Sequence, residues 1–529
     1  MTRMRPVVWK LWARLLVLAG VFAGLCGGPT TAQSQEEPGG KHAFRLQIRK
    51  RVETSAGSKR YHAITEEVSW DPRRTAVVIC DMWDKHWCAG ATKRVGEMAA
   101  RMNAVVAKAR SQGALIIHCP SDTLDFYKDT PQRRLAQMAP AVETKRPLER
   151  WCRIDPTHES PLPIDDTDGG CDCSPQCKNY KAWSRQIDQI KVEPGDAITD
   201  SGEAYFLMRS RGIDNVIVMG VHTNMCVLGR PFSIRQMVYQ GQNVVLMRDM
   251  TDTMYNSRMA PFVHHCTGTD LVIEHIEKHW CPTISSVDFL GGREFRFSED
   301  RRPTVTFVVG EDEYKTEQSL PRFAAQHLGK DFRVNFVFSS DSNKYDFPGL
   351  DAIDQADVLF ISVRRRVLPA AQLDRIRRFI AAGKPVVGIR TASHAFALRA
   401  DMAAVPDTEA WPTFDPDVLG GHYTGHHGEG LAIAVKPAEG ASDNPLLQGV
   451  ALQELVPKGS LYKAGPLADS ARALLIGSIP DQVAEPIAWT NTNKYGGRVF
   501  YTSLGHIGDF EQTSFKQLLV NALRWATSK

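Results

Sequence analysis

Apolar residues along the chain gather in short runs that alternate with stretches of helical period. Residues 76–80 (Ala-Val-Val-Ile-Cys) form an unbroken apolar run closed by Asp81, the pattern of a strand buried on both faces. Over 95–111 the apolar positions Met98, Met102, Val105 and Val106 fall on one helical face, and Gly113 ends the element. The same alternation continues through a strand at 115–117, a helix at 202–211 and a strand at 216–219. A helix beginning near Asn224, a strand at 244–247 and a helix at 270–278 follow. A polar, charged stretch at 294–303 resets the pattern and reads as an exposed connector. Beyond it come strands at 305–309, 334–338, 358–363 and 385–389, a helix at 369–382, a strand at 499–502 and a helix at 515–526. Strand and helix in alternation predict two consecutive α/β domains, each a three-layer structure around a parallel sheet.

Length suits that division, since 529 residues fill two to three domains. With 43% hydrophobic and 23% charged residues the chain is neither disordered nor a multi-span membrane protein. A net charge of +4, from 64 basic and 60 acidic residues, gives no electrostatic reason for a nucleic-acid partner. The start of the chain carries Arg3, Arg5, Lys10 and Arg14, then an apolar run at 15–26, then small residues ending at Ala32. This is the pattern of a secretory signal peptide, residues 1–32, and predicts an exported protein, periplasmic or secreted, with no membrane segment after cleavage. Residues 33–62 read as a polar lead-in, 63–298 as the first domain and 303–529 as the second.

Candidate chemistry in the first domain centres on Cys226, in the strand-to-helix turn Gly220-Val221-His222-Thr223-Asn224-Met225-Cys226-Val227. A cysteine opening a helix is placed to act as a thiolate nucleophile. Asp81 ends a strand at the edge where α/β sheets expose their chemistry, and Lys191 precedes the cysteine by 35 residues. Together these residues resemble the isochorismatase-like cysteine hydrolases. The resemblance implies that Asp81 takes the thiol proton, Lys191 supports the charge and Cys226 attacks an amide or similar carbon. Backbone N–H groups at Met225 and Cys226 would then hold the oxyanion. It further implies a cis peptide between Val221 and His222, and a homo-oligomer is common in the family. The nicotinamidase branch binds a metal through an Asp-x-His pair. Here Asp84-Lys85-His86 lies three residues too late, which argues against that activity. Substrate contacts are expected from Trp83, His118, His222, Asn224 and Met225. His118, with Ser121 and Asp122, either lines a pocket mouth or caps a strand, and Trp83 with Trp87 is either an apolar wall or core. No metal or other cofactor is implied for this chemistry.

An insertion at 150–180 holds Cys152, Cys171, Cys173 and Cys177. Export favours disulfides among them over zinc, because Cys-x-Cys-x-x-x-Cys lacks paired Cys-x-x-Cys knuckles.

The second domain has no cysteine, and its histidines gather at turns: His394, then His422, His426 and His427, then His506. These turns, with the stretch Gly497-Arg498-Val499-Phe500-Tyr501-Thr502-Ser503-Leu504-Gly505-His506, resemble the trehalose-utilisation (ThuA-like) family. That family has a flavodoxin-like, class I glutamine-amidotransferase-like fold. The fold usually carries a nucleophilic cysteine after the strand ending near Ile389. Arg390-Thr391-Ala392-Ser393 stands there instead, which excludes glutaminase chemistry. The resemblance implies a saccharide ligand, with His394, His426 and His506 as acid/base or sugar-contacting groups. The expected whole is an exported cysteine hydrolase acting on a small molecule and joined to a carbohydrate-related domain. The rival is a saccharide-binding or sugar-modifying protein with a silent first domain.

Overall fold

The computed structural model describes residues 43–528; the expected signal peptide at 1–32 and the first ten residues of the polar lead-in, 33–42, lie outside the described residues. Among the described residues no helix is long and apolar enough to cross a membrane.

The first lobe is built on strands β1 (Phe44–Glu53), β2 (Tyr61–Trp70), β3 (Thr75–Cys80), β4 (Leu115–Cys119), β5 (Ala197–Ile198), β6 (Asn215–Val221), β7 (Asn243–Asp252) and β8 (Thr283–Ile284). Their order in the sheet is β2-β1-β8-β7-β6-β3-β4-β5. Strands β8 to β5 run parallel, and the β1–β2 hairpin is added antiparallel at one side. β3 is buried along its whole length because both of its faces are covered. Val77 and Ile79 pack against the apolar face of the helix Ala89–Ser111. Ala76 and Val78 face the helices Glu203–Ser210 and His265–His279. The helix expected near Asn224 is a single turn, Cys226–Gly229, followed by a separate helix Ile234–Tyr239.

The second lobe follows with β9 (Thr304–Gly310), β10 (Arg333–Phe338), β11 (Val358–Val363), β12 (Val386–Ile389), β13 (Gly425–His426), β14 (Ala434–Pro437), β15 (Tyr462–Lys463), β16 (Arg472–Ser478), β17 (Glu485–Thr492) and β18 (Arg498–Thr502). Its main sheet has the order β10-β9-β11-β12-β18-β17-β16-β14, parallel from β10 to β18 and antiparallel beyond. β13 and β15 form a small sheet of their own. One face of the main sheet packs on the helices Thr316–His327 and Thr513–Thr527, the other on Ala370–Ala381. Both lobes are thus the expected α/β sandwiches.

Three expectations need correction. Much of the polar lead-in is structured: Phe44–Glu53 is β1, with Phe44 and Leu46 buried and the residues between them exposed. Alternation with charged outward positions lowers mean hydropathy without weakening the strand. The stretch at 294–303 is exposed only in part: Arg296, Ser298, Glu299 and Arg301 face outward, while its other charges are paired. Glu294 binds Arg248 at 2.5 Å and faces Arg333, while Arg302 is buried between Asp300 (2.7 Å) and Asp270 (3.1 Å). Burial raises the Glu294 pKa, but Arg248 and Arg333 outweigh it and bring it down to about 2. Charges that pair internally can be buried at a junction. Close approach continues nearby. The His264 N–H donates to Gly329 O at 3.0 Å, and a Cβ on Gly349 (φ +80°) would stand 2.3 Å from the Ala63 carbonyl oxygen. β2, outermost in the first sheet, packs beside β10, outermost in the second.

The third correction concerns the insertion. All ten cysteines among the described residues are thiols, so the expected disulfides among Cys152, Cys171, Cys173 and Cys177 are not formed. Cys152 is pinned to the Cys226 turn through its N–H on Gly229 O (2.7 Å), whereas Cys171 and Cys173 turn toward Cys88. The insertion is anchored instead by Glu159, buried and bound by Arg235 (2.7 and 2.9 Å), His275 (2.8 Å) and Trp280 (2.9 Å).

Candidate active site

Asp81 follows the last residue of β3 with φ +47° and is fully buried. Its N–H donates to Cys119 O at 3.0 Å, and its Oδ1 accepts the Ser121 N–H at 2.8 Å. Oδ2 has no hydrogen-bond partner. The neighbouring strand β6 comes close because residue 220 is glycine. With φ +111°, a Cβ there would lie 2.0 Å from Cys80 O. This approach brings the turn 222–226 against Asp81. The peptide between Val221 and His222 is cis.

Cys226 is 8% exposed and sits beside Asp81 and Arg230. Burial and the Asp81 charge push its thiol pKa well above the usual range, with Arg230 opposing. A resting thiolate is therefore not what the turn favours, and one turn of helix supplies little dipole against that burial. Asp81 is itself raised to about 6, by burial, with Arg230 and hydrogen bonds holding it back. A protonated thiol beside a carboxylate of that pKa is a nucleophile–base pair. Of the two amides expected to form an oxyanion hole, Met225 N–H is occupied by His222 O at 2.9 Å. The Cys226 N–H meets no acceptor among the described residues.

The cation of the site is Arg230, with Nε 3.7 Å from Asp81 Oδ2 and Nη2 3.4 Å from Asp122 Oδ2. Lys191 is exposed and donates through Nζ to Asp188 O at 2.9 Å, on the segment before β5. Arg230 caps the single helical turn that Cys226 opens, in extended conformation, and so stays beside the cysteine. A cleft of about 320 Å³ opens over Arg230, lined also by Asp122, Arg150 and Asp200.

The expected substrate contacts divide. Trp83 is buried, stacks on Trp183 at 4.5 Å and donates its indole N–H to Ser121 O, forming a wall beside Asp81. His118 is wholly buried between Gln186 Oε1 (3.0 Å) and Asp196 Oδ2 (3.1 Å), so it braces β4 rather than lining a mouth. Asn224 spends its side chain on Asp166 and the Met254 backbone. His222 is buried against His86, and burial lowers its pKa well below the usual value. Met225 is half-buried and packs toward Cys88 and Cys171. Asp84 accepts from the Ser184 N–H and hydroxyl, and His86 Nδ1 accepts the Cys88 N–H, so this pair is occupied by local bonds.

In the second lobe Arg390 holds the position after β12 with φ +40°. Its guanidinium lies over the rings of Tyr314 (4.3 Å) and Tyr462 (4.6 Å), and Gly459 leaves room for it. The three expected histidines gather on this patch. His394 packs on Tyr423 at 4.6 Å, His506 meets Tyr314 edge-on at 5.6 Å, and exposed His426 lies 6.5 Å from Tyr462. Burial, and then the charges of Arg365, Arg364 and Arg390, lower the His394 pKa well below its usual value. The tyrosines were not singled out from sequence; β15, which carries Tyr462, is only two residues long.

No curated protein matches the sequence. Among solved structures, a cysteine hydrolase from Pseudomonas syringae pv. phaseolicola is 18% identical, with 41% of this chain and 92% of that one covered and a TM-score of 0.26. An isochorismatase family protein from Burkholderia thailandensis is 14% identical, covering 41% and 93%, with a TM-score of 0.24. A putative ThuA-like protein from Parabacteroides merdae is 19% identical, covering 43% and 93%, with a TM-score of 0.31. Residues 304–526, which include every strand of the second lobe, match the family model described as ThuA, trehalose utilisation.

Proposed function

We propose that the chain is an exported cysteine-dependent hydrolase that cleaves an amide-like C–N bond of a small molecule, with a second lobe that holds a saccharide. The observation that carries the first half is the buried Cys226 thiol beside the unpartnered Asp81 Oδ2. As sulfur attacks the carbonyl carbon, the thiol proton passes to Asp81 and an S–C bond forms. The oxyanion is held by the Cys226 N–H, and Arg230 offsets the charge that accumulates at sulfur. Asp81 then returns its proton to the departing amine as the C–N bond breaks. Water deprotonated by the same carboxylate releases the acid from the thioester and restores the thiol.

The test is turnover of a panel of small amides, ureas and esters, together with the rate of Cys226 alkylation by iodoacetamide. Turnover lost in Cys226→Ala, and alkylation that accelerates as Asp81 ionises, would support the reading. A Cys226 that labels no faster than Cys152, with no turnover of any panel member, would sink it. The second reading, a saccharide-binding protein, draws on the partly exposed rings of Tyr314 and Tyr423, since aromatic faces stack on the apolar faces of sugar rings. It predicts sugar binding without any turnover.

A further inference from the structure

The cysteines of the insertion meet a partner from elsewhere in the chain. Cys88 lies immediately before the helix Ala89–Ser111, and its sulfur, with those of Cys171 and Cys173, forms a group in which all lie within 4.8 Å of one another. The Cys88 and Cys173 sulfurs are 3.9 Å apart. A disulfide needs ~2.05 Å. Thiolates at ~2.3 Å from one tetrahedral zinc ion stand ~3.8 Å from each other, so the 3.9 Å between Cys88 and Cys173 suits sulfurs sharing a metal.

The surroundings suit thiolates. The Gly90 N–H donates to Cys173 Sγ at 3.3 Å and the Cys177 N–H to Cys171 Sγ at 3.5 Å. Donors of this kind orient and charge-balance metal-bound sulfur. Arg94 lies close enough to feel the Cys88 charge and also faces Asp172 at 3.4 Å. Cys88 and Cys171 are fully buried, and Cys177 packs on the same cluster. Two glycines permit the encounter. A Cβ on Gly90 would lie 3.0 Å from Asp172 Oδ1, and one on Gly170 (φ +71°) would lie 2.3 Å from Met254 O.

We propose that Cys88, Cys171 and Cys173 bind one zinc ion as three thiolates, a structural site that fastens the insertion to the start of the first long helix. Binding releases three thiol protons to solvent and, with a neutral donor such as water in the fourth position, leaves a net charge of −1 on the centre, which Arg94 and the backbone donors offset. Met225, next to Cys226, packs against this cluster, so the metal stiffens the wall behind the candidate nucleophile. The proposal does not depend on the hydrolase reading.

The experiment is metal analysis of the full chain purified without a histidine tag. One zinc per chain is expected, lost in Cys88→Ser and Cys173→Ser and retained in Cys152→Ser and Cys266→Ser. Replacing zinc with Co(II) should give sulfur-to-cobalt charge transfer in the near ultraviolet and intense tetrahedral d–d bands. Because that spectrum is read on the wild-type chain, it decides even if the serine variants fail to fold. Absence of those bands, a disulfide among the three cysteines by non-reducing peptide mapping, bound iron with sulfide, or zinc retained by folded Cys88→Ser would each overturn the proposal.

Discussion

Arg230 reaches the buried Asp81 carboxylate from the same turn that presents Cys226, with its Nε 3.7 Å from Oδ2. The cation therefore moves with the nucleophile and is not delivered by the loop before β5. Replacing Arg230 with Met should lower kcat/KM by roughly 100- to 1,000-fold, the usual effect of removing one charge-stabilising group. Lys191→Ala should leave it within about twofold, as for an exposed side chain outside the site. Steady-state kinetics on both variants checks the assignment, and equal losses would refute it.

Asp81 gives the site a pH dependence of known sign. Its pKa rises from 3.8 to about 6 on folding because of burial. Between those values the folded chain keeps a proton that the unfolded chain has released, so stability falls as pH rises across the window and stays reduced above it. Activity runs the other way, rising through about pH 6 as the base ionises. Asp81→Asn should abolish turnover yet stabilise the fold at pH 8 by on the order of 1–3 kcal/mol, with no gain near pH 3.5. Denaturant melts at the two pH values measure this directly.

Glu159 has the opposite linkage. Burial raises its pKa, but hydrogen bonds from His275, Arg235 and Trp280 more than compensate and hold it at about 2, below the usual 4.5. Its stabilisation is complete above pH 4.5 and is lost as pH falls toward 2. Arg235→Ala strands a buried carboxylate and should cost about 3–5 kcal/mol. Thermal melts should show that loss at pH 7, and proteolysis should then cut first within 150–180.

In the second lobe the proposed saccharide should stack on Tyr423, which is partly exposed, while Tyr462 lies buried against it at 4.6 Å. Tyr423→Ala should weaken binding roughly tenfold, the scale of one lost aromatic contact. His394→Ala should also weaken it, and Cys226→Ala should leave it unchanged. Calorimetry with trehalose and a screened sugar panel distinguishes these outcomes. Binding lost in a folded Cys226→Ala protein would mean one composite site.

Asp81 directly follows the buried strand β3 and Cys226 opens the helical turn after β6, and the apolar runs of both strands mark these places in the sequence. Lys191 stands 35 residues before the cysteine but is exposed and bonded to Asp188, whereas Arg230, just past the cysteine's helical turn, reaches Asp81, a contact only the fold creates. The alternation of Phe44, Leu46 and Ile48 with charged residues was a strand signal masked by high overall polarity. Cys88 could not be joined to Cys171 from sequence, since they are 83 residues apart and only the fold brings them together. His118 and Asn224 occupy suggestive positions, yet their polar atoms are consumed by internal bonds that no spacing reveals.

The packing of β2 beside β10 has a bearing on how the two sheets end. Each strand ends its sheet with a row of peptide groups that lack a neighbouring strand, and such rows recruit other chains. Here β2 and β10 meet, so each covers part of the other's open edge. Severing the chain at residue 303 would uncover both rows at once, so the isolated halves should self-associate more readily than the intact chain.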